Sequence, residues 1–166
     1  MTKKIAFVTG ASRGIGRACA IALAEAGFDV AVSARTTVDG TARLDDGKTQ
    51  LPGGLDTTVA AIEATGARGF AVPMDLLDRE SVLAAADQTI KHFGRIDVLL
   101  NNAIYQGPGS MQPLLELDEA EMLRMFEGNV HAQLALTRHV LPGLIAQGGG
   151  LVLNMISATA RPDPPG

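Results

Sequence analysis

A single cysteine, Cys19, stands among the 166 residues, so no internal disulfide can form and a reducing cytoplasm is the default compartment. Positive charge is not in excess. Fourteen Lys and Arg face eighteen Asp and Glu, a formal charge of −4, which offers no electrostatic footprint for nucleic acid or an anionic membrane. Long apolar runs are also missing. The run behind Lys3 and Lys4 is only Ile5 to Val8, too short for a signal peptide, and no stretch approaches the length of a membrane span. Neither an internal repeat nor a heptad array is present. Secreted, membrane, fibrous and nucleic-acid-binding classes all fit poorly.

What the chain does contain suits a buried core: 46% of its residues are hydrophobic and 19% charged. Its length predicts one domain over residues 1–166. Short β-branched runs at 4–9, 29–33, 69–73, 96–101 and 151–156 read as strands. Longer helical patterns separate them, as in a parallel α/β sheet. Ile15, Ala18, Cys19, Ala22, Leu23 and Ala26 recur at helical spacing, and Gly27 supplies a stop. Further helices are predicted over 55–65, over 79–93 with Asp78 as N-cap, and over 118–146, where Pro142 is expected to kink or end the last one. Residues 36–54 are polar and rich in Gly, Asp and Thr, and read as an inserted surface loop. The proline-rich tail at 161–166 continues neither strand nor helix.

The first strand runs directly into Thr9-Gly10-Ala11-Ser12-Arg13-Gly14-Ile15-Gly16, with an amphipathic helix behind it. Glycines there let the backbone turn sharply and let a pyrophosphate approach the helix N-terminus, where the helix dipole favours an anion. The order strand, glycine loop, helix points to dinucleotide binding over a purely structural turn.

The spacing Thr-Gly-x-x-x-Gly-x-Gly resembles the cofactor loop of the short-chain dehydrogenase/reductase family. Four more elements match in order: Asp75-Leu76 after the third strand, Asn101-Asn102-Ala103-Ile104 after the fourth, Asn129 in the long helix, and Asn154-Met155-Ile156-Ser157 at the fifth. Ile104 replaces the family's usual glycine. The resemblance implies a Rossmann-type doubly wound parallel sheet of strand order 3-2-1-4-5, here without its C-terminal strands. It implies cofactor contacts from Gly10, Ser12, Arg13, Gly14, Ile15, Gly16, Arg35, Asp75, Leu76, Asn102 and Ala103, and catalytic roles for Asn129 and Ser157. It also implies a homo-oligomer acting on a small carbonyl or alcohol.

The second strand leads into Arg35, where an acidic side chain would hold a ribose 2′-hydroxyl, and Arg13 brings a second guanidinium. Guanidinium forks suit a phosphate, so NADP(H) is expected to be preferred, with NAD(H) possible. Solvated surface arginines are the plainer reading. Asn129 falls mid-stripe with Met122, Phe126, Gln133, Leu136, Val140 and Leu144 at helical spacing. Its amide either satisfies a local carbonyl or, as the resemblance implies, holds a water in a proton relay. Ser157 follows an apolar strand, where its hydroxyl either begins a turn or polarises a substrate carbonyl.

The family's proton donor, a Tyr four residues before a Lys, is absent. The only tyrosine, Tyr105, has Gly109 in the lysine's place and is expected to line the substrate side or pack locally. His92, His131 and His139 show no metal spacing, and Cys19 reads as an inert core thiol. The chain thus resembles the first two-thirds of such an oxidoreductase, with the Tyr/Lys pair expected downstream and the segment alone inactive. A non-catalytic nucleotide-binding or interaction module is the alternative. Strand 151–156, apolar almost throughout, reads as buried on both faces.

Overall fold

The structure is a computed structural model that describes residues 3–43, 48–110 and 112–157; the tail reading at 161–166 lies outside the described residues. In chain order the first half carries β1 (Ile5–Thr9), α1 (Gly14–Glu25), β2 (Asp29–Ala34), β3 (Ala42–Arg43), β4 (Gln50–Leu51) and α2 (Leu55–Glu63). Then come β5 (Gly69–Pro73), α3 (Arg79–Phe93), β6 (Val98–Asn101), α4 (Glu119–Phe126), a π-helical segment (Glu127–His131), α5 (Ala132–Ala146) and β7 (Leu151–Asn154).

Strand alternation sorts the core into two layers. Phe7, Ala31, Val72 and Leu99 point to one face, where Val82 and Ala85 of α3 and Leu136 and Val140 of α5 meet them. Ala6, Val8, Val30, Val32 and Leu100 point to the other, against Ala20 and Ala24 of α1 and Leu55 and Ile62 of α2. Helices thus cover both faces of one parallel sheet, ordered β5-β2-β1-β6-β7. Counting only these five strands the order is 3-2-1-4-5. The direction of winding reverses at β1, so the crevice between the ends of β1 and β6 is the switch point.

Asp29 pins the opposite end of the sheet. Its carboxylate accepts hydrogen bonds from the Arg68 backbone N–H (2.9 Å) and Nε (2.7 Å), with Lys3 Nζ at 3.7 Å. Burial by itself would push this carboxyl up. The Arg68 hydrogen bonds and the two nearby cations outweigh burial and hold it below the usual carboxylate value.

Two expectations need correction, and two gain detail. The buried stripe of α1 is Gly16, Ala20 and Ala24, flanked by half-buried Cys19 and Leu23, whereas Ile15 is 64% exposed and Ala18, Ala22 and Ala26 also face out. The smallest side chains face the sheet because α1 lies close to the glycine loop. Residues 36–54, read as an inserted surface loop, carry a short hairpin: β3 and β4 pair antiparallel within them, while 44–47 lie outside the described residues. Pro142 does not end α5, which runs on to Ala146; the departure from α-helical geometry is the π segment. Its i→i+5 bonds widen one turn. That delays the rotation of everything upstream, so Phe126 is 54% exposed and Glu121 takes a buried place instead. Finally, β7, read as buried on both faces beneath elements expected downstream, is largely exposed within these residues. Among the described residues it pairs only with β6, and Val152 alone of its side chains packs into the core.

Candidate active site

Five strand ends open into one cleft of about 760 Å³. Its floor is the turn between β1 and α1. Thr9 closes β1 and its hydroxyl donates to the Leu100 carbonyl (3.2 Å) while accepting from the backbone N–H groups of Asn102 and Ala103, both at 3.0 Å. The Asn102 side-chain amide returns the tie, donating to the carbonyls of Thr9 (2.9 Å) and Gly10 (3.2 Å). These bonds lock the first turn to the end of β6. Gly10 sits at φ +68°, and a Cβ there would lie 2.7 Å from the Ala103 Cα. A Cβ on Gly16 would collide with the Gly10 carbonyl and the Asn102 amide. Both positions therefore require glycine for contact, and Gly10 for its dihedral as well.

Helix α1 starts here without a side-chain cap and without an acidic residue in its first turn. Its first backbone N–H groups have no partner within the helix, so their positive end faces the cleft. Arg13, at the end of the β1–α1 turn, lines the same cavity as Arg35 and Thr36, as do Ala42, Arg43 and Leu51 of the β3–β4 hairpin. Arg13 Nη2 donates to Thr36 Oγ1 (3.2 Å) and to the Gly53 carbonyl (3.3 Å), so this arginine ties the start of α1 to the end of the hairpin. Its Nε is buried and has no hydrogen-bond partner among the described residues. None of Arg13, Arg35 and Arg43 forms an ion pair among the described residues.

All the residues expected in the site line the cleft except Gly14 and Asn129. Gly14, at φ +56°, faces open space. Asp75 and Leu76 sit beyond β5, and Asp75 Oδ1 accepts from the Leu77 backbone N–H (3.0 Å), which holds that turn. Ser157 lies at the cleft's other wall after β7, beside exposed Ile104 and Ile156. Asn129 is engaged locally: its Oδ1 accepts from the Tyr105 N–H (2.7 Å) and its Nδ2 donates to the Tyr105 carbonyl (2.9 Å). The π segment that carries it meets the Tyr105 ring at Gly128, where a Cβ would lie 3.2 Å from Cγ.

Tyr105 is buried and its hydroxyl donates to Glu121 Oε2 (3.3 Å). Burial first, then the hydrogen bond and charge of Glu121, push the phenol above its ordinary value of 10.0. Phe70 stacks on His92, and His131 and His139 sit against Glu127 and Asp87 on helix surfaces. Among the described residues no cluster of His, Cys, Asp or Glu is set to hold a metal, and no helix is long and apolar enough to cross a membrane.

Sequence reasoning missed Thr9 as the latch, the hairpin as a wall of the cleft, and Glu121 as a buried acid. Thr9 carried a signal, since it precedes the first glycine at the end of an apolar strand. Glu121 carried none, because only the π segment turns it inward.

The model of the family described as short chain dehydrogenase matches residues 4–166. A curated relative, an uncharacterized oxidoreductase (YhdF) of Bacillus subtilis, is 32% identical over 95% of this chain and 48% of its own length. The chain spans about half the length of the curated relatives it matches. A metagenomic short-chain oxidoreductase solved in complex with NADP superposes with a TM-score of 0.77 at 31% identity, covering 96% of this chain and 65% of that one. An NADH-dependent reductase, A1-R′, complexed with NAD, gives 0.79 at 25% identity over 96% and 62%.

Proposed function

The chain belongs to the short chain dehydrogenase family, and from that premise we propose that it forms the cofactor-binding part of an oxidoreductase working with NADP(H) on a small carbonyl or secondary alcohol. The observation that carries the cofactor reading is that Arg13, in the glycine turn, and Arg35, just after β2, line the same cleft. A guanidinium fork matches a phosphate and gains little from a neutral hydroxyl. When bound, the nicotinamide supplies the hydride donor or acceptor.

The chain's own residues have separate tasks in this reading. Gly10, Ser12, Gly14, Ile15 and Gly16 let a pyrophosphate reach the uncapped start of α1. Asp75 and Leu76 border the adenine end, and Asn102 and Ala103 hold the turn open beneath the nicotinamide half. Ser157 Oγ donates a hydrogen bond to the substrate oxygen and polarises the carbonyl. Asn129 acts through Tyr105, whose backbone it clamps, and its remaining N–H is free to hold a water. Protonation of the product oxygen is assigned to a Tyr/Lys pair that these 166 residues do not contain. Assembly as a homo-oligomer belongs to the same reading, supported by exposed Leu123, Val130, Leu134 and Leu141 on the α4–α5 helix.

Titration of the natural gene product with both reduced cofactors tests the proposal. NADPH is expected to bind more tightly than NADH, and Arg35→Asp to reverse the order. Equal affinities, unmoved by that substitution, would retire it.

A further inference from the structure

The inserted segment between β2 and α2 is longer than a crossover at this place needs, and its hairpin borders the cleft. Arg43 on β3 and Leu51 on β4 line the same cavity as Arg35. We propose that Arg43 is a specificity-determining residue, a hairpin-borne cation that contacts the 2′-phosphate of a bound NADP(H) together with Arg35. This rests on the cofactor reading above and adds to it a residue outside the motifs that suggested that reading.

Three observations carry the inference. The hairpin is fastened to the glycine turn. Arg13 Nη2 donates to the Gly53 carbonyl at its exit, and Gly53 N–H donates to Asp39 Oδ1 (2.5 Å) across its base. Asp39 N–H in turn donates to both Asp56 oxygens at the start of α2 (3.1 and 3.2 Å). A side chain at Gly53 would collide with Arg13 and Ser12, so hairpin and turn touch directly. Second, Arg13 is partly committed: both hydrogens of Nη2 go to Thr36 and Gly53, which makes it a strut as well as a charge. Arg35 and Arg43, both exposed, are the two guanidinium groups left facing the cleft. Third, like charges brought to one rim repel unless an anion joins them. A doubly charged phosphate monoester suits two guanidinium groups on one cavity wall, and a ribose hydroxyl does not.

The natural gene product and its Arg43→Ala, Arg43→Lys and Arg35→Ala variants are titrated with NADPH, NADH, adenosine 2′,5′-bisphosphate and 5′-AMP, reading binding and not turnover. Arg43→Ala is expected to weaken NADPH and the bisphosphate by about tenfold or more, the scale of one lost hydrogen bond to a charged group. NADH and 5′-AMP should bind as before. Arg43→Lys should keep part of the difference, and it stands in should the alanine variant fail to fold. An unchanged NADPH affinity in Arg43→Ala, or an equal loss for NADPH and NADH, overturns the inference. If Arg35→Ala discriminates between the cofactors and Arg43→Ala does not, the hairpin assignment alone falls. If the unsubstituted protein binds NADH as tightly as NADPH and neither arginine matters, the cofactor reading falls with it.

Discussion

Replacing Gly16 by alanine sets two physical effects against each other. Gly16 is helical, in the first turn of α1, and glycine there costs up to about 1 kcal/mol relative to alanine in helix propensity. Propensity alone therefore predicts a stabilised protein. Packing predicts the reverse, because the new Cβ collides with the Gly10 carbonyl and the Asn102 side-chain amide. The first obstacle is backbone and cannot swing aside. Yielding at the second breaks the Asn102 hydrogen bonds to Thr9 and Gly10, each worth about 0.5–1.5 kcal/mol. Overpacking a fitted contact adds about 1–3 kcal/mol. The packing cost exceeds the propensity gain, and Gly16→Ala should destabilise by about 1–5 kcal/mol on these figures. The same shift lifts α1 from the turn and should weaken cofactor binding. Urea unfolding of the natural gene product and the variant measures the first effect, and cofactor titration the second. A variant as stable as its parent, with unchanged binding, would show that the contact is not as tight as described and would refute the reasoning.

Two further outcomes are expected. Asn129→Ala leaves the Tyr105 N–H and carbonyl without their partner, so unfolding should become easier by about 1–3 kcal/mol, and hydrogen exchange at the Tyr105 amide should accelerate; unaltered exchange would break the proposed clamp. Asp29, whose carboxyl is held low by Arg68 and Lys3, contributes stability above its unfolded value near 3.8 and loses it as pH falls through the lower folded value. The stability gap between the protein and Asp29→Asn should therefore close as pH drops below that value, in urea midpoints measured across the acid range. A gap that stays constant would show that the charge is not what Asp29 contributes.

Much of the architecture is local in origin. Ile5–Thr9 is apolar and β-branched in a run too short for a helix, the turn after it is marked by Gly10 and Gly14, and Asp78 caps α3 through its bonds to the Glu80 and Ser81 N–H groups. Each depends on residues a few positions apart, so each is readable from the chain. Strand order followed from the expected right-handed crossovers together with family resemblance. The glycine turn, Arg13 and Arg35 were likewise visible as residues, because their chemistry depends on their type.

Tertiary structure decided what distance hides. The face of α1 that is buried was set by how closely the helix lies on the β1 turn, which selects Gly16, Ala20 and Ala24 over larger neighbours at equally good helical spacing. One widened turn at 127–131 moved Phe126 out and Glu121 in, since a periodicity argument carries an unbroken 100° per residue across it. The partner of Asn129 lies 24 residues away, and only packing brings Tyr105 to it. The hairpin is the clearest instance. Its composition reads as solvent-facing loop, and only its fastening through Gly53 and Asp39 turns Arg43 toward the cleft, because a polar segment's direction is set by its long-range hydrogen bonds and not by its own hydropathy.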